Sequence, residues 1–422
     1  MRPQRGRVHE ERPLDMDLSF FPAWPPTWPT AMAVAVLALF AAAGGEVAAR
    51  WLRLPRLLGY LAAGALFGAG GYVLQLLKIE ELPLRTMQFS MDFAAAVILF
   101  DVGQRVSFGW VRRNPALLLA SVLESGFTFV AVYLVMQALD IAPLAAALIA
   151  AISMSTSPAV VLAITQELRA QGQVTERTLL LTALNSIYAV VLSTLLLAWA
   201  RLQTRGVLDD YLLHPAYLIV GSLAVAAIGA RLFLLVVGFV GRDRAAQIMV
   251  MLAVVWMVFA SAVALKLSPL LALLACGAYV RTFDRQRLLA RTDIGLASGV
   301  ALALFFALSA AVIDGSILFA AWLPALALVL VRTVCKVGAV SLLAPPTGIS
   351  WRKGMWTGIG LLPMSALALM LTQEVSQLNP QLGAQTNAVL LLSVVILQIA
   401  GALALVYALR ESGEARVDGR GR

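Results

Sequence analysis

The sequence predicts an all-α, polytopic membrane protein with about thirteen transmembrane helices, and three observations support this. First, 61% of the residues are hydrophobic and 13% are charged, with a mean hydropathy of +0.86, whereas a soluble domain carries about 25% charged residues. Second, the chain divides into apolar runs of roughly 17–25 residues, each long enough to cross about 30 Å of hydrocarbon. Third, lysine and arginine concentrate in alternate connectors between these runs.

Each apolar run is recognised by its length and by the polar residues that separate it from the next. The first begins near Thr30, behind a polar and aromatic tail at residues 1–29 whose tryptophans suit a membrane interface. The last ends near residue 409, ahead of a short cytoplasmic tail at 411–422. The predicted segments are 30–49, 57–77, 88–104, 115–138, 142–166, 178–200, 215–240, 245–264, 268–283, 296–315, 318–343, 354–375 and 386–409.

The positive residues also predict the orientation of the chain. Connectors that share a side with the C-terminus hold about twice as many lysines and arginines as the opposite connectors and the N-terminal tail together. Because positive residues favour the cytoplasmic side, the alternation predicts an odd number of segments and a cytoplasmic C-terminus, with the N-terminus outside. We expect a multi-pass protein of the bacterial cytoplasmic (inner) membrane, in contact with the lipid bilayer.

The fifth and sixth segments carry polar residues that hydrocarbon does not tolerate. The fifth contains Thr156, Ser157 and Pro158 in its middle, and the sixth contains Asn185 and Ser186. Because proline removes a backbone donor and clashes with the preceding turn, we expect a helix break at Pro158 that frees carbonyl groups one turn earlier. Such a break is stable at mid-membrane only where it is buried in protein or lines a water-filled cavity, because lipid cannot hydrogen-bond the freed backbone groups. We interpret the freed carbonyls and the hydroxyls as a cation-binding site.

A second helix break is predicted in the twelfth segment, at Pro363 in GLLPMSALALML. From Pro158 to Pro363 the offset is 205 residues, and the same offset places AVILFDV (96–102) on ALALFFA (301–307). With six segments on either side of a central seventh, the two halves would have opposite orientations in the membrane. Interrupted helices at matching positions of two inverted halves indicate the substrate site of a transporter.

Seven stretches resemble the monovalent cation:proton antiporters, in particular the branch with bacterial sodium/proton exchangers and glutathione-gated potassium efflux systems. Each stretch is mostly apolar, but their order and spacing are fairly specific, and together they cover nearly all of about residues 30–409. The stretches are LGYLAAGALFGAG (58–70), AVILFDVGQRV (96–106), STSPAVVLAI (155–164), LNSIYAVV (184–191), LFFALSAAVID (304–314), RTVCKVGAV (332–340) and GIGLLPMSALAL (358–369).

The resemblance implies a thirteen-helix exchanger domain in which the broken fifth and twelfth helices cross. It implies elevator-like alternating access, in which a core moves against a scaffold, and it implies a homodimer formed by the scaffold. No cofactor is expected. The implied parts of the domain at 30–410 are a scaffold at about 30–113 and 241–317, a core at about 114–202 and 318–410, and a linker helix at about 214–240.

One departure from the family bears on how transport can work. Family members carry a carboxylate pair, or an Asn–Asp or Gln–Asp pair, at the positions of Asn185 and Ser186, and the second residue binds proton and cation in turn. Exchange at one site needs a group whose charge changes at the working pH. A serine hydroxyl can coordinate a cation but cannot be that group. Either another side chain carries the proton, or the protein is not a standard antiporter.

Three ionisable side chains within segments are candidates for the proton group, since membrane-embedded charges are rare and usually functional. Glu124 lies in the core by resemblance, and Asp101 lies in the third segment, where a structural role is the alternative. Lys336 faces Asn185 by resemblance and lacks a carboxylate there, so it could release a proton because it is desolvated, or it could pair with Glu124. Arg332 lies one turn earlier on the same face and cannot titrate, so we expect a fixed charge.

We therefore expect secondary transport of a monovalent cation, sodium or potassium, in exchange for protons. Two alternatives stay open: a proton-uncoupled carrier of a small solute or anion, and a transport-inactive homologue that acts as a membrane sensor or partner. The sequence has no nucleotide-binding loop, metal-ligand cluster or nucleophile–base arrangement, so we expect no enzyme, no metal site beyond the transported cation and no nucleic-acid partner.

Overall fold

The fold is seen in a computed structural model. Residues that the structure describes are 30–52, 54–69, 84–105, 114–205, 209–241, 243–284, 295–311, 321–364, 368, 371–372, 375–376 and 380–415. Within these ranges the chain is helical apart from short connections, and it contains no strand. The all-α fold class is confirmed.

The described residues form fourteen α-helices and one short 3₁₀ turn, Pro345–Thr347. In chain order the helices are α1 (Thr30–Arg50), α2 (Arg56–Ala69), α3 (Leu84–Arg105), α4 (Pro115–Ala138), α5 (Pro143–Ser153), α6 (Pro158–Glu167), α7 (Gln173–Arg205), α8 (Asp209–Val240), α9 (Arg244–Ala264), α10 (Pro269–Phe283), α11 (Gly295–Ala311), α12 (Trp322–Leu342), α13 (Trp351–Gly360) and α14 (Pro380–Glu411).

Each predicted segment coincides with a helix, apart from the two broken ones. The fifth segment is split into α5 and α6, and the twelfth begins with α13 and continues beyond a non-helical stretch at 361–364. By length and composition alone, seven spans in the described part of the chain can cross a membrane. The end of the second predicted segment, 70–77, lies outside the described residues.

The two halves of the chain repeat the same pattern of helices. An offset of 205 residues carries α4 (115–138) onto 320–343, where α12 lies, and α5 (143–153) onto 348–358, where α13 lies. It carries α7 (173–205) onto 378–410, which nearly coincides with α14. The repeat predicted from two prolines therefore extends over whole helices.

The helices pack into two groups. The first group contains α4, α5, α6, α7, α12, α13 and α14, and both broken segments lie in it. The second group contains α1, α2, α3, α9, α10 and α11, while α8 packs against α7 of the first group and against α9 and α10 of the second. The division into a moving core, a scaffold and a linker helix stays a prediction.

Glycines bring the first-group helices close together at the broken segments. A Cβ atom at Gly358 would lie 2.8 Å from Val337 Cα and 3.0 Å from the Lys336 carbonyl oxygen, so α13 approaches α12 at the level of Lys336. A Cβ atom at Gly401 would lie 2.7 Å from the Pro363 nitrogen, so α14 lies directly against the second break. Side chains at these two glycines would push the broken segment away from its neighbours.

The chain after α14 returns to the start of α7. Glu414 Oε1 accepts a hydrogen bond from the Val174 backbone N–H at 2.8 Å, and Oε2 accepts from the Thr175 N–H and Oγ1 at 2.8 Å each. A carboxylate at a helix N-terminus satisfies orphan backbone donors and interacts favourably with the helix dipole. Glu414 therefore fixes the end of the helix that carries Asn185 and Ser186.

Candidate functional site

The two broken segments meet at their non-helical stretches. The Ser157 backbone N–H donates to the Pro363 carbonyl oxygen at 2.8 Å, and Thr156 Oγ1 donates to the Leu361 carbonyl oxygen at 3.1 Å. Thr156 and Leu361 are separated by the offset that relates the two halves, 205 residues. The predicted crossing of two broken helices is confirmed.

Local sequence explains why the fifth segment breaks where it does. α5 ends at Ser153, and α6 begins with Pro158 at its first helical position, where the missing backbone donor costs nothing. Ser157 is the N-cap of α6, and its Oγ accepts a hydrogen bond from the Val160 N–H at 3.2 Å. Ser155 Oγ donates back to the Ile152 carbonyl oxygen at 2.7 Å. The hydroxyls of Ser155 and Ser157 therefore already serve the local backbone.

Arg332 on α12 bridges the two breaks and is fully buried. Four carbonyl oxygens, two from each broken segment, accept hydrogen bonds from its guanidinium group. They are Ser153 O at 2.8 Å, Ser155 O at 2.8 Å, Leu361 O at 3.2 Å and Leu362 O at 2.6 Å. The freed carbonyls were predicted to bind a transported cation, but in the structure these four accept hydrogen bonds from the Arg332 guanidinium group. The five donors of arginine fit this task, because their fork is rigid and permanently charged.

Ser186 and Asn185 lie beside the first break on α7, and both are fully buried. Ser186 Oγ lies 2.8 Å from the Thr182 carbonyl oxygen and 3.4 Å from the Thr156 carbonyl oxygen. Asn185 Oδ1 accepts from Ser125 Oγ at 3.0 Å, while its Nδ2 has no hydrogen-bond partner among the described residues. The structure thus brings Thr156, Asn185 and Ser186 together.

Lys336 and Glu124 form an ion pair in the interior of the first group. Lys336 Nζ lies 2.6 Å from Glu124 Oε1, and the two side chains are 0% and 1% exposed. Ser125 Oγ lies 3.4 Å from Glu124 Oε2, and Thr128 Oγ1 lies 3.4 Å from Oε1. Of the two roles left open for Lys336, the structure shows the pairing with Glu124. Since the Ser125 hydroxyl donates its single proton to Asn185 Oδ1 at 3.0 Å, its approach to Glu124 is a polar contact, and Ser125 places the ion pair next to Asn185 in one polar network.

Two polar residues of this network were missed by the sequence analysis. Ser125 connects Glu124 to Asn185, and Thr182 precedes Ser186 by one helical turn. Thr182 Oγ1 is buried and has no hydrogen-bond partner in the described part of the chain. The spacing of four residues from Thr178 to Thr182 and Ser186 could have revealed a polar stripe on one face of α7.

Asp101 lies on α3 in the second group, where it is 5% exposed, and α3 packs against α10 and α11 and also against α6 and α7 of the first group. Glu124 and Lys336 lie on α4 and α12 of the first group and pair with each other. The role of Asp101 as a proton group stays a prediction.

The chain resembles known proteins in both its sequence and its fold. The sequence model of the family described as "Sodium/hydrogen exchanger, transmembrane" matches residues 35–406. The chain belongs to the sodium/hydrogen exchanger family. It is a multi-pass membrane protein of a family of transporters. Among curated proteins, no relative matches the chain.

Two structures of one antiporter share the fold. A structure of the sodium proton antiporter MjNhaP1 from Methanocaldococcus jannaschii at pH 8 superposes with a TM-score of 0.63 and 16% identity, over 90% of this chain and 98% of that one. An electron-microscopy map of the same antiporter gives a TM-score of 0.68 at 16% identity, over 93% of this chain and 100% of that one. At this identity the likeness shows that this family member has the antiporter fold.

Proposed function

We propose that this protein exchanges a monovalent cation, sodium or potassium, for protons across a bacterial cytoplasmic membrane. The observation that carries the proposal is the buried ion pair between Glu124 and Lys336, which lies close to Asn185: Ser125 Oγ donates to Asn185 Oδ1 and lies 3.4 Å from Glu124 Oε2. A membrane-embedded pair of this kind is costly to bury and marks proton relays and ion pathways. It supplies the titratable group that Ser186 cannot supply.

Charge balance gives the proposed coupling. In the proton-loaded state Lys336 is charged, and with Glu124 it forms a pair with no net charge. When Lys336 Nζ loses one proton, the Glu124 carboxylate has no counter-ion, and one monovalent cation restores neutrality. When Nζ takes up a proton again, the carboxylate returns to Lys336 and the cation is released. Proton and cation therefore exclude each other, and one is exchanged for one.

The cation would bind between Glu124 and the first break. The oxygen atoms proposed as ligands are those of the Thr156, Asn185 and Ser186 side chains and the Thr182 hydroxyl. The fourth predicted ligand, Ser157, would have to bind the cation with the hydroxyl that also caps α6. Arg332 stays charged throughout and fixes the breaks at Pro158 and Pro363. Because the two breaks are held as one unit, an elevator-like movement would carry the site as a rigid body. A homodimer and a cytoplasmic C-terminus complete the proposal.

Exchange is tested in proteoliposomes that contain a pH-sensitive dye and a preset pH gradient. Addition of sodium or potassium should dissipate the gradient, and the other alkali cations serve as controls for selectivity. The replacement of the expected carboxylate by Ser186 favours one other candidate, a proton-uncoupled carrier of a small solute or anion. Absence of a pH response to either cation at any pH would contradict exchange and favour that carrier or an inactive homologue.

A further inference from the structure

Tyr188 on α7 lies beside the ion pair, although it belongs neither to the proposed cation ligands nor to the proton groups. It follows Asn185 by three residues. Ser121 Oγ on α4 donates to the Tyr188 hydroxyl oxygen at 3.1 Å, and Tyr188 also interacts electrostatically with Glu124. The tyrosine is therefore part of the surroundings of the carboxylate that the proposed exchange uses.

The helices α4 and α7 run side by side in the same direction. Near their N-terminal ends, Leu117 and Arg177 line one small cavity. Farther along both helices, Ser125 Oγ donates to Asn185 Oδ1 at 3.0 Å. These two contacts show which parts of the helices are level with each other. Ser121, which lies between Leu117 and Ser125 on α4, is level with a part of α7 that precedes Asn185.

The hydrogen bond between Ser121 and Tyr188 therefore joins two different levels. Tyr188 lies after Asn185 on α7, whereas Ser121 lies one turn before Ser125 on α4. To reach Ser121, the tyrosine side chain runs back toward the N-terminal end of α7, which is the direction in which helical side chains lean. Glu124 lies between Ser121 and Ser125 on α4, so the phenol ring passes beside Glu124.

Tyr188 differs from these neighbours in its exposure. Ser121 and Asn185 are 0% exposed and Glu124 is 1% exposed, whereas Tyr188 is partly exposed. It packs against a hydrophobic cluster with members on α3 and α10 of the second group as well as on α6 and α7 of the first. The tyrosine thus stands between the ion pair and the side of α7 that packs against the second group.

A cover at this place changes the electrostatics of Glu124. Attraction between opposite charges is stronger where water is excluded, and in the proposed exchange Glu124 attracts Lys336 in one state and the cation in the other. An aromatic ring excludes water and carries its hydroxyl as a polar end. Because Ser121 binds that hydroxyl, the ring can lie beside the carboxylate without competing for it.

We propose that Tyr188 is a positioning residue for cation binding: anchored by Ser121, its ring covers Glu124 and excludes water from the carboxylate while the cation is bound. The inference rests on the proposed exchange, because Glu124 binds the cation there. It adds a residue that acts through Glu124 and sets the affinity for the cation.

The first test measures whether Tyr188 covers this region. In purified protein with Cys276→Ala and Cys335→Ala, Ser121→Cys places a thiol at the end of the ring. A small charged methanethiosulfonate should label this thiol at least about tenfold faster when Tyr188→Ala is also present, since reactive thiolate forms where water has access.

Val132→Cys is the matched control for labelling, because Val132 is 0% exposed and belongs to the same buried face of α4, eleven residues beyond Ser121. Its labelling rate should be the same with tyrosine or alanine at position 188. Equal labelling of Ser121→Cys in the two backgrounds would overturn the cover. An equal gain at Val132→Cys would also overturn it, because the substitution would then loosen α4 as a whole.

The second test separates cation affinity from transport rate in proteoliposomes. Tyr188→Ala should raise the half-saturating cation concentration about tenfold and leave the maximal rate within about twofold, which is the signature of lost binding. Tyr217→Ala is the matched control, since Tyr217 is a 49% exposed tyrosine on α8 whose hydroxyl donates to the Leu265 carbonyl oxygen at 2.7 Å. It should change neither quantity. A lower maximal rate with an unchanged half-saturating concentration would give Tyr188 a structural role only and overturn the proposal.

The third test concerns the anchor. Ser121→Ala and Tyr188→Phe each remove the same hydrogen bond and keep the ring, so each should raise the half-saturating concentration by about two- to fivefold. The double variant should match either single one, because the two residues act through one contact. Additive effects would overturn the anchor. If the unmodified protein exchanges no cation, the proposed function fails, whereas the labelling of Ser121→Cys still decides whether Tyr188 covers the site.

Discussion

Replacement of Glu124 by glutamine removes the counter-ion of Lys336 and keeps the size of the side chain. The two charged atoms lie 2.6 Å apart, and both side chains are almost fully buried. Opposite unit charges 2.6 Å apart attract by about 6 kcal/mol at an effective dielectric constant of about 20. Desolvation of both groups offsets part of this attraction. Loss of one partner of such a pair destabilises a protein by about 3–5 kcal/mol, because the other charge stays buried.

Two measurements follow the consequences of Glu124→Gln. Thermal unfolding of the purified protein in detergent reports the loss of stability, and a pH dye in proteoliposomes reports exchange. We expect a lower unfolding temperature and an exchange rate at least about tenfold lower than that of the unmodified protein. Glu176→Gln is the matched control, since Glu176 is an exposed residue near the start of α7. It should change neither quantity.

A double variant separates stability from function. Glu124→Gln combined with Lys336→Met removes both charges, and replacement of a whole buried pair by apolar groups is often neutral for stability. We expect the double variant to regain most of the lost unfolding temperature and none of the lost exchange. The reasoning is refuted if Glu124→Gln alone exchanges at the original rate with the original pH profile. The pair would then be structural, and Asp101→Asn would be the next variant to measure.

Two further predictions concern the breaks and the missing carboxylate. Arg332→Gln leaves buried carbonyl oxygens without donors, each at a cost of about 1–3 kcal/mol, so the unfolding temperature should fall, and more than in Arg332→Lys. An unchanged temperature would show that the carbonyls do not depend on the guanidinium group. Ser186→Asp places a carboxylate beside the Thr156 and Thr182 carbonyl oxygens. Cation affinity should rise by about tenfold, or about 1.4 kcal/mol, in pH-dependent binding assays; a weaker affinity would place the cation elsewhere.

The sequence predicts the breaks well because their causes are local. Ser157 is an N-cap that accepts a hydrogen bond from the next turn, and Pro158 is a first-position proline that prevents the preceding turn from continuing. The offset between Pro158 and Pro363 can also be read from the sequence, because matched segments of the two halves carry a proline at the same position. These features need no knowledge of tertiary contacts.

The partners of the buried charges could not be predicted in the same way. Glu124 and Lys336 are 212 residues apart, and Arg332 reaches carbonyls 177 and 179 residues away. The sequence shows that such charges must find partners in a membrane, but it does not show which. Lys336 was left between two roles for this reason. Arg332 was expected as a fixed charge, and its role in binding the freed carbonyls emerges only once the two breaks are brought together.

The positions of the buried charges explain how a member of this family can lack the carboxylate on α7. Four carbonyl oxygens accept hydrogen bonds from Arg332, so backbone dipoles balance its charge. Glu124 therefore pairs with Lys336 and not with Arg332. Ser125 contacts both Glu124 and Asn185, so the negative charge of Glu124 lies near the position where the family carboxylate would be. Loss of the acid at Ser186 therefore does not remove negative charge from the region. In the proposed exchange, the competition between proton and cation would then take place at the facing pair on α4 and α12 instead of on α7.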